Sequence, residues 1–358
     1  MGAAVLPAKM VAISLQKPMR GRRAAPAVIA RRRTLRLGFV PLADAAPLLV
    51  ARSAGMFERH GLDVRLEGEL GWGTIREKIA RGELDASHAL GGLVFSLVVG
   101  THTRPCNVRA EAMLSFEGNA ITLSRRLWRK GVRDGQSLRL LLRAESPRRP
   151  VFAVVSTVSS HHMLLRGWLQ KSGMDPDRDV RIVVLPPPLV CEHMREAHID
   201  GFCAGEPWNT AAVQDGEGWV VATSRTLDAG HPEKVLLLSE SFAGRDPDAA
   251  HALRLALWEA CQWCDDPENR ESLPALFKEA DWFGLPDEVV RRALTGPFDR
   301  GYPAAREESL LMFSDGCGNR SSRQRAWWFL NGIAELNNLP MSNSQRAKCV
   351  EAFADSSI

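Results

Sequence analysis

Residues 35–66 read LRLGFVPLADAAPLLVARSAGMFERHGLDVRL, and this stretch decides the fold class. The apolar run at 35–40 predicts a short strand that Pro41 ends, because proline cannot donate to a sheet ladder. An apolar stretch over 45–54 predicts a helix, and 61–66 returns to the alternation of a strand. Strand, helix and strand in this order indicate an α/β fold with a parallel sheet covered by helices.

The same alternation continues along the chain and restarts in its second half. Further predicted elements are a helix at 74–81, a strand at 84–87, and then a second unit with strands at 152–155, 181–185 and 199–202 and helices at 159–170 and 191–197. From residue 247 onward the pattern is mostly helical. Two α/β units followed by a helical return predict two lobes with a ligand cleft between them.

We expect the following organisation of the 358 residues. Residues 1–33 form a disordered basic arm, 34–125 and 240–340 form a discontinuous first lobe, 126–239 form the second lobe, and 341–358 form a C-terminal tail.

The charge is unevenly placed along the chain. Nine of the 46 basic residues lie at or before Arg36, and the first acidic residue is Asp44. The rest of the chain contains 37 basic and 42 acidic residues, so its net charge is −5. The negative net charge of the chain after Arg36 argues against direct nucleic-acid binding.

No apolar run in the sequence is long enough to span a membrane.

The first residues give an expectation about the compartment. The apolar stretch at 24–30 is short, contains Pro26 and is closed by Arg31, Arg32 and Arg33, unlike an export signal. The seven cysteines are scattered and predict no disulfide framework. We therefore expect a cytoplasmic location, with a periplasmic one as the alternative.

Residues for catalysis are scarce. The sequence has no GxSxG, no glycine-rich phosphate loop and no HExxH. Adjacent His161 and His162 would point about 100° apart on a helix and rarely share a metal. We expect no enzymatic reaction, no cofactor and no metal.

A different set of side chains suits one small anion. Ser159 can cap a helix whose first turn carries His161, so N–H groups and an imidazole would face the cleft. Asn119 can donate from its amide, Trp72 from its indole, and Lys234 supplies a full positive charge. Each of these residues also has an ordinary structural interpretation, such as a core tryptophan or a surface lysine.

Several motifs make the chain resemble a known family. They are LGFVPLADAAPL at 37–48, GWGTIR at 71–76, GNAIT at 118–122, SHHMLLR at 160–166, PPP at 186–188, DGFCAGEPWN at 200–209 and HPEKVL at 231–236. Together they resemble the nitrate/bicarbonate-binding proteins of ABC transporters and their cytosolic relatives, the NasS-type nitrate/nitrite sensors.

The resemblance implies a type II periplasmic-binding-protein-like fold. It also implies that four residues surround a bound oxyanion and that Pro188 and Glu206 line the cleft; the four are Trp72, Asn119, His161 and Lys234. Nitrate binders of the family carry lysine where bicarbonate binders tend to carry an acid tied to calcium. Lys234 thus favours nitrate or nitrite as the ligand.

One departure from the family pattern lies beside the expected ligand. Residues 88–93 read HALGGL, where the family has a proline-containing turn that would border the anion.

Two functions follow from the resemblance. In the first, a cytosolic sensor sequesters an RNA-binding antiterminator and releases it when nitrate or nitrite binds. In the second, the alternative, the chain is the soluble substrate-binding component of a nitrate/nitrite ABC transporter and docks on the permease. The lack of a recognisable export signal favours the sensor.

Overall fold

The computed structural model describes residues 33–144, 148–302, 306–307, 309–336 and 341–353. The expected basic arm, apart from Arg33, lies outside the described residues. The strands are β1 (Leu35–Phe39), β2 (Val64–Gly68), β3 (Ala86–Leu90), β4 (Val108–Met113), β5 (Phe116–Glu117), β6 (Asn119–Ser124), β7 (Val151–Val154), β8 (Arg181–Val184), β9 (Gly201–Gly205), β10 (Gly218–Thr223), β11 (Lys234–Ser239), β12 (Phe298–Asp299), β13 (Arg306–Glu307) and β14 (Leu311–Met312).

Helices connect these strands and make up most of the C-terminal third of the described chain. They are α1 (Ala46–Ser53), α2 (Met56–Arg59), α3 (Trp72–Ala80), α4 (Gly91–Val99), α5 (Arg125–Arg129), α6 (Gly135–Ala144), α7 (Ser160–Lys171), α8 (Val190–Arg195), α9 (Trp208–Gln214), α10 (Ser224–Leu227), α11 (Glu240–Arg245), α12 (Pro247–Asp265), α13 (Pro267–Arg270), α14 (Leu273–Ala280), α15 (Asp287–Thr295), α16 (Arg323–Glu335) and α17 (Asn343–Glu351), with 3₁₀ turns at Ala43–Ala45 and Pro187–Leu189.

The first five-stranded sheet has the order β2-β1-β3-β11-β4. Strands β1, β2 and β3 run parallel, as the sequence pattern predicts, whereas β11 is antiparallel to both of its neighbours. The central strands β3 and β11 are buried throughout, and the edge strand β2 is partly exposed. A strand covered on both faces needs a continuous apolar run, which the Val235–Leu238 segment of β11 provides.

The second five-stranded sheet has the order β10-β6-β9-β7-β8. Strand β7 is parallel to β8 and β9, while β6 is antiparallel to β9 and β10. Helix α7 starts after β7 and packs on β9 and β6. Its N-terminus therefore lies beyond the carboxyl end of a parallel strand, where open α/β sheets bind ligands.

The chain crosses between the sheets earlier than the expected lobe boundaries after residues 125 and 239. Strand β6 pairs only within the second sheet, and β11 pairs only within the first. The crossings thus fall before Asn119 and before Lys234, which places these two residues at the first positions of their strands. The division into domains itself stays a prediction.

Residues 88–93 form no turn. Residues 88–90 end β3, and α4 begins at Gly91. A Cβ at Gly91 would lie 2.2 Å from the ring of Phe329, and one at Gly92 would lie 2.0 Å from the carbonyl oxygen of Val158. Glycine is required at both positions because α4 starts in close contact with α16 at Gly91 and with the segment between β7 and α7 at Gly92.

The expected C-terminal tail also contains regular structure. Helix α17 packs against α4 and α16, and Cys349 and Phe353 are fully buried. Apolar side chains at the end of the described chain therefore belong to the core. All seven cysteines are free, and none of the helices in the described residues is long and apolar enough to cross a membrane.

Candidate functional site

Lys234, the first residue of β11, is fully buried between two carboxyl groups. Its Nζ lies 2.7 Å from Oδ2 of Asp44 and donates to Oε1 of Glu233 at 2.6 Å. Burial by itself would lower the pKa of Lys234, but the two carboxylates raise this pKa above its ordinary value. Lys234 is therefore charged, and the expectation that its full charge is available to a ligand is corrected: two acids already share it.

Glu233 connects Lys234 to the second sheet. Its Oε2 accepts a hydrogen bond from Nδ2 of Asn119 at 2.7 Å and another from the hydroxyl of Ser160. Burial would raise the pKa of Glu233, but the charge of Lys234 and other neighbouring groups hold it at about 2. Glu233 is thus an ionised carboxylate that joins groups from both sheets.

The first turn of α7 carries His161 into the same region. Ser159 caps the helix, as the sequence predicts, and its hydroxyl accepts from the backbone N–H of His162. His161 is fully buried, and neither ring nitrogen has a hydrogen-bond partner within the described chain. Burial lowers the pKa of His161 to about 4, so the imidazole is neutral near pH 7 and keeps one N–H donor.

Trp72 opens α3 and closes another side of this region. The side chain is buried, and its indole N–H finds no partner among the described residues. Nζ of Lys234 lies 5.6 Å from the centroid of the indole ring. The ring of His88 lies 6.3 Å away, centroid to centroid, and Nε2 of His88 is 3.5 Å from Oδ1 of Asp44. Burial lowers the pKa of His88 to about 4 as well.

Asn119 and Asp44 both lie next to Gly205. Asn119 pairs with Gly205 across β6 and β9. A Cβ at Gly205 would lie 3.6 Å from Oδ1 of Asn119 and 3.8 Å from Oδ2 of Asp44. Oδ1 of Asn119 has no hydrogen-bond partner within the described residues, so it faces the same space as Asp44.

Glu206 is the remaining buried acid of the region. Its backbone carbonyl accepts from the N–H of Ala43 at 2.8 Å, and its Oε2 accepts from the hydroxyl of Thr210. Oε1 has no partner in the described chain. Burial raises the pKa of Glu206 to about 7, so the neutral acid is well populated at neutral pH and can donate a hydrogen bond.

These residues form one group, which we call the polar cluster. Its members are Asp44, Trp72, His88, Asn119, Ser160, His161, Glu206, Glu233 and Lys234.

Pro188, expected at the ligand, lies elsewhere in the described contacts. It sits half-buried in the 3₁₀ turn Pro187–Leu189. Within the described chain no hydrogen bond or ion pair joins this turn to the polar cluster. Its role in lining the cleft stays a prediction.

Four members of the polar cluster are absent from the residues expected at the ligand: Asp44, His88, Ser160 and Glu233. Asp44 follows a strand that ends at Pro41, and Glu233 precedes Lys234 directly, so a signal was present in both cases. Opposite charges next to each other at the start of a buried strand indicate a buried ion pair. His88 gives no such signal, because only the pairing of β3 with β11 brings it close to Asp44.

The polar cluster is unusual in how many buried polar atoms lack partners. Within the described residues these include Nε1 of Trp72, both ring nitrogens of His88 and His161, and single oxygens of Asp44, Asn119 and Glu206. A buried polar group without a hydrogen bond costs about 1–3 kcal/mol. Such a concentration is typical of a site that receives a polar ligand.

The electrostatics restrict the charge of that ligand. One ammonium group is matched by two nearby acids, and both histidines are neutral near pH 7. A second negative charge on the ligand would face Asp44 and Glu233 without a second cation to balance it. The site therefore suits a monoanion held by neutral N–H donors better than a dianion.

A family model and several curated proteins match this chain. A model of the NMT1-like family matches residues 30–277. The nitrate import ATP-binding protein NrtC of Synechocystis is 37% identical over 84% of this chain and 45% of its own length. The bicarbonate transport ATP-binding protein CmpC of Synechococcus elongatus is 35% identical over 86% of this chain and 46% of its own length. The chain thus spans about half the length of these curated relatives.

A third relative matches over most of its length. The nitrate/nitrite binding protein NrtA of Synechocystis is 30% identical over 88% of this chain and 72% of its own length. The crystal structure of this periplasmic nitrate-binding protein superposes with a TM-score of 0.84 at 28% identity, covering 90% of this chain and 86% of that chain. The type II periplasmic-binding-protein-like fold expected from the sequence is confirmed.

Proposed function

This chain belongs to the NMT1-like family, and on that premise we propose that it binds nitrate or nitrite in the polar cluster as the substrate-binding component of an ABC importer. The observation that carries the proposal is the convergence of two buried side chains without hydrogen-bond partners among the described residues, Trp72 and His161, near Lys234. Nitrate and nitrite are small planar monoanions that only accept hydrogen bonds, so they match these donors.

The names of the relatives support the importer. NrtC is named for nitrate import and NrtA for nitrate/nitrite binding. CmpC, named for bicarbonate transport, is nearly as similar, so bicarbonate is the competing ligand within this family. The sensor that sequesters an antiterminator, the cytoplasmic location and the lack of an enzymatic reaction stay predictions.

Calorimetry on the purified full chain tests the ligand. Nitrate, nitrite, bicarbonate with and without calcium, and sulfate are titrated separately. We expect nitrate or nitrite to bind at a single site and sulfate not to displace it there, because two carboxylates oppose a second ligand charge. Binding of bicarbonate alone, or of sulfate as tightly as nitrate, would contradict the proposal.

A matched pair of variants tests the site. Trp72→Phe keeps an aromatic ring but removes the indole N–H, and we expect about tenfold weaker nitrate binding from the loss of one hydrogen bond to an anion. Trp219→Phe is the control, since Trp219 is also buried with an unpartnered indole but lies on β10 against Trp128 and Tyr302. Equal nitrate affinities in the two variants would remove Trp72 from the site.

A further inference from the structure

A second concave region lies on the other side of the α7 N-terminus. It is a groove of about 550 Å³ between α7 and the edge strand β8. We call it the arginine groove, and the polar residues that matter for its chemistry are Arg148, Arg149, His162, Arg166, Asp177 and Arg181. No member of the polar cluster lines it.

Two of the four arginines are already occupied by protein groups. Arg166 is largely buried and makes a two-pronged pair with Asp177, with both N···O distances at 2.7 Å. Arg148 donates to the carbonyl of Ala197 at 3.2 Å and lies 3.7 Å from Asp200. Asp177 therefore balances Arg166, whereas Arg148 shares Asp200 with Arg126.

The other two arginines are different. Arg149 and Arg181 are exposed, and the side chain of neither makes a hydrogen bond or an ion pair with another described residue. Asp177 is the one acid among the lining residues, and Arg166 uses both of its oxygens. Burial lowers the pKa of His162, whose Nδ1 lies 3.0 Å from the carbonyl oxygen of Thr157. Among the described residues that line the groove, Arg149 and Arg181 therefore remain as two positive charges without an acidic partner.

The floor of the groove is apolar. Val151 and Val154 of β7 and Val180 and Ile182 beside β8 line it. Its volume lies within the usual range for small-molecule sites, and it exceeds what one inorganic ion needs. A ligand that fills this groove would place apolar carbon atoms against these side chains and negatively charged groups near the arginines.

We propose that the arginine groove is a second binding site for a small organic dianion, which carries its charge on two carboxylates or on a phosphate group. Arginine pairs with both groups through parallel N–H···O bonds, and its rigid fork suits either geometry. The site lies within the second sheet and its helix, so it goes beyond the proposed nitrate function and does not depend on it.

Calorimetry with two probes tests the proposal on the full chain. Succinate represents a dicarboxylate ligand and glycerol 3-phosphate a phosphate ligand, and both are titrated with nitrate present. We expect at least one of them to bind, and the tighter probe identifies the acid group that the groove prefers. If neither binds, the proposal is overturned.

Variants locate the site. Arg149→Gln with Arg181→Gln should weaken binding of the tighter probe by at least about tenfold, because two charge-assisted hydrogen bonds are lost. Arg178→Gln is the control, since Arg178 is equally exposed, lies on the same lobe and does not line the groove. Equal weakening by the double variant and the control would also overturn the proposal.

The same proteins separate this proposal from the nitrate function. None of the three substituted arginines belongs to the polar cluster, so nitrate should bind both variants with unchanged affinity. If the wild-type chain binds an organic probe but not nitrate, the proposed function is contradicted and the second site is supported. If it binds nitrate but neither organic probe, only the second site is contradicted.

Discussion

The polar cluster buries its single lysine between two acids, whereas the arginine groove leaves Arg149 and Arg181 exposed without acidic partners. Both regions adjoin the first turn of α7, through His161 on one side and His162 on the other. In the buried region desolvation is expensive, and the two acids on Lys234 disfavour a second negative charge on a ligand. In the exposed region water screens the arginines, so positive charge can accumulate and select a dianion.

The largest expected effect is on the stability of a Lys234→Ala variant. Removing the ammonium group leaves Asp44 and Glu233 buried together without a cation. We expect the free energy of unfolding to fall by about 3–5 kcal/mol and nitrate binding to be lost. Urea unfolding and calorimetry measure the two effects.

The control for this variant is Lys278→Ala. Lys278 also pairs with an acid, Asp287, but both side chains are about two thirds exposed. The stability change should therefore stay below about 1 kcal/mol. Similar losses in the two variants would show that burial does not distinguish the polar cluster from an ordinary surface pair.

The next effect is the pH dependence that Glu206 produces. Its pKa rises from 4.5 in the unfolded chain to about 7 in the folded protein because of burial. Between pH 4.5 and about pH 7, Glu206 is thus protonated in the folded protein and ionised in the unfolded chain. The contribution of Glu206 to stability is fully present below pH 4.5 and is lost as the pH rises through 7.

Unfolding of the wild type and a Glu206→Gln variant, measured across pH 4 to pH 8, isolates this contribution. The variant should gain stability relative to the wild type as the pH rises to about 7, and the difference should then level off. The lowered pKa values of His88 and His161 make stability rise with pH, which is the opposite direction. Both proteins contain these histidines, so their effect cancels in the comparison. Nitrate affinity of the wild type should also weaken above pH 7, because ionised Glu206 adds negative charge. Parallel stability curves would exclude a raised pKa at Glu206.

The control for this pH profile is Glu288→Gln on the surface. Hydrogen bonds from Arg291 and Arg292 hold the pKa of Glu288 at about 2, so its contribution is lost as the pH falls. The difference in stability between Glu288→Gln and the wild type should therefore change with pH in the opposite direction to that of Glu206→Gln.

The smallest expected effect is on the free energy of unfolding of the double variant in the arginine groove. The double variant Arg149→Gln with Arg181→Gln removes two exposed charges that have no partner among the described residues. The free energy of unfolding should change by no more than about 0.5 kcal/mol. A loss close to that of Lys234→Ala would mean that these arginines are structural, and the contrast between the two regions would fail.

Much of the fold could be read from local patterns. Strands β1, β7 and β8 and helices α1, α3 and α7 lie within a few residues of their predicted positions, because apolar periodicity and the flanking prolines and glycines are local signals. Helix α4 was missed since its two initial glycines resemble a turn. Only the contacts with Phe329 and Val158 explain why glycine is needed there.

The sequence by itself determined the α/β alternation, the capped start of α7 and the presence of Trp72, Asn119, His161 and Lys234 as candidate ligand residues. Only the tertiary structure decided that Lys234 is shared by Asp44 and Glu233 and that His88 joins the cluster. The reason is physical: periodicity and capping act over a few residues, whereas desolvation and charge pairing depend on which distant segments the two sheets bring together.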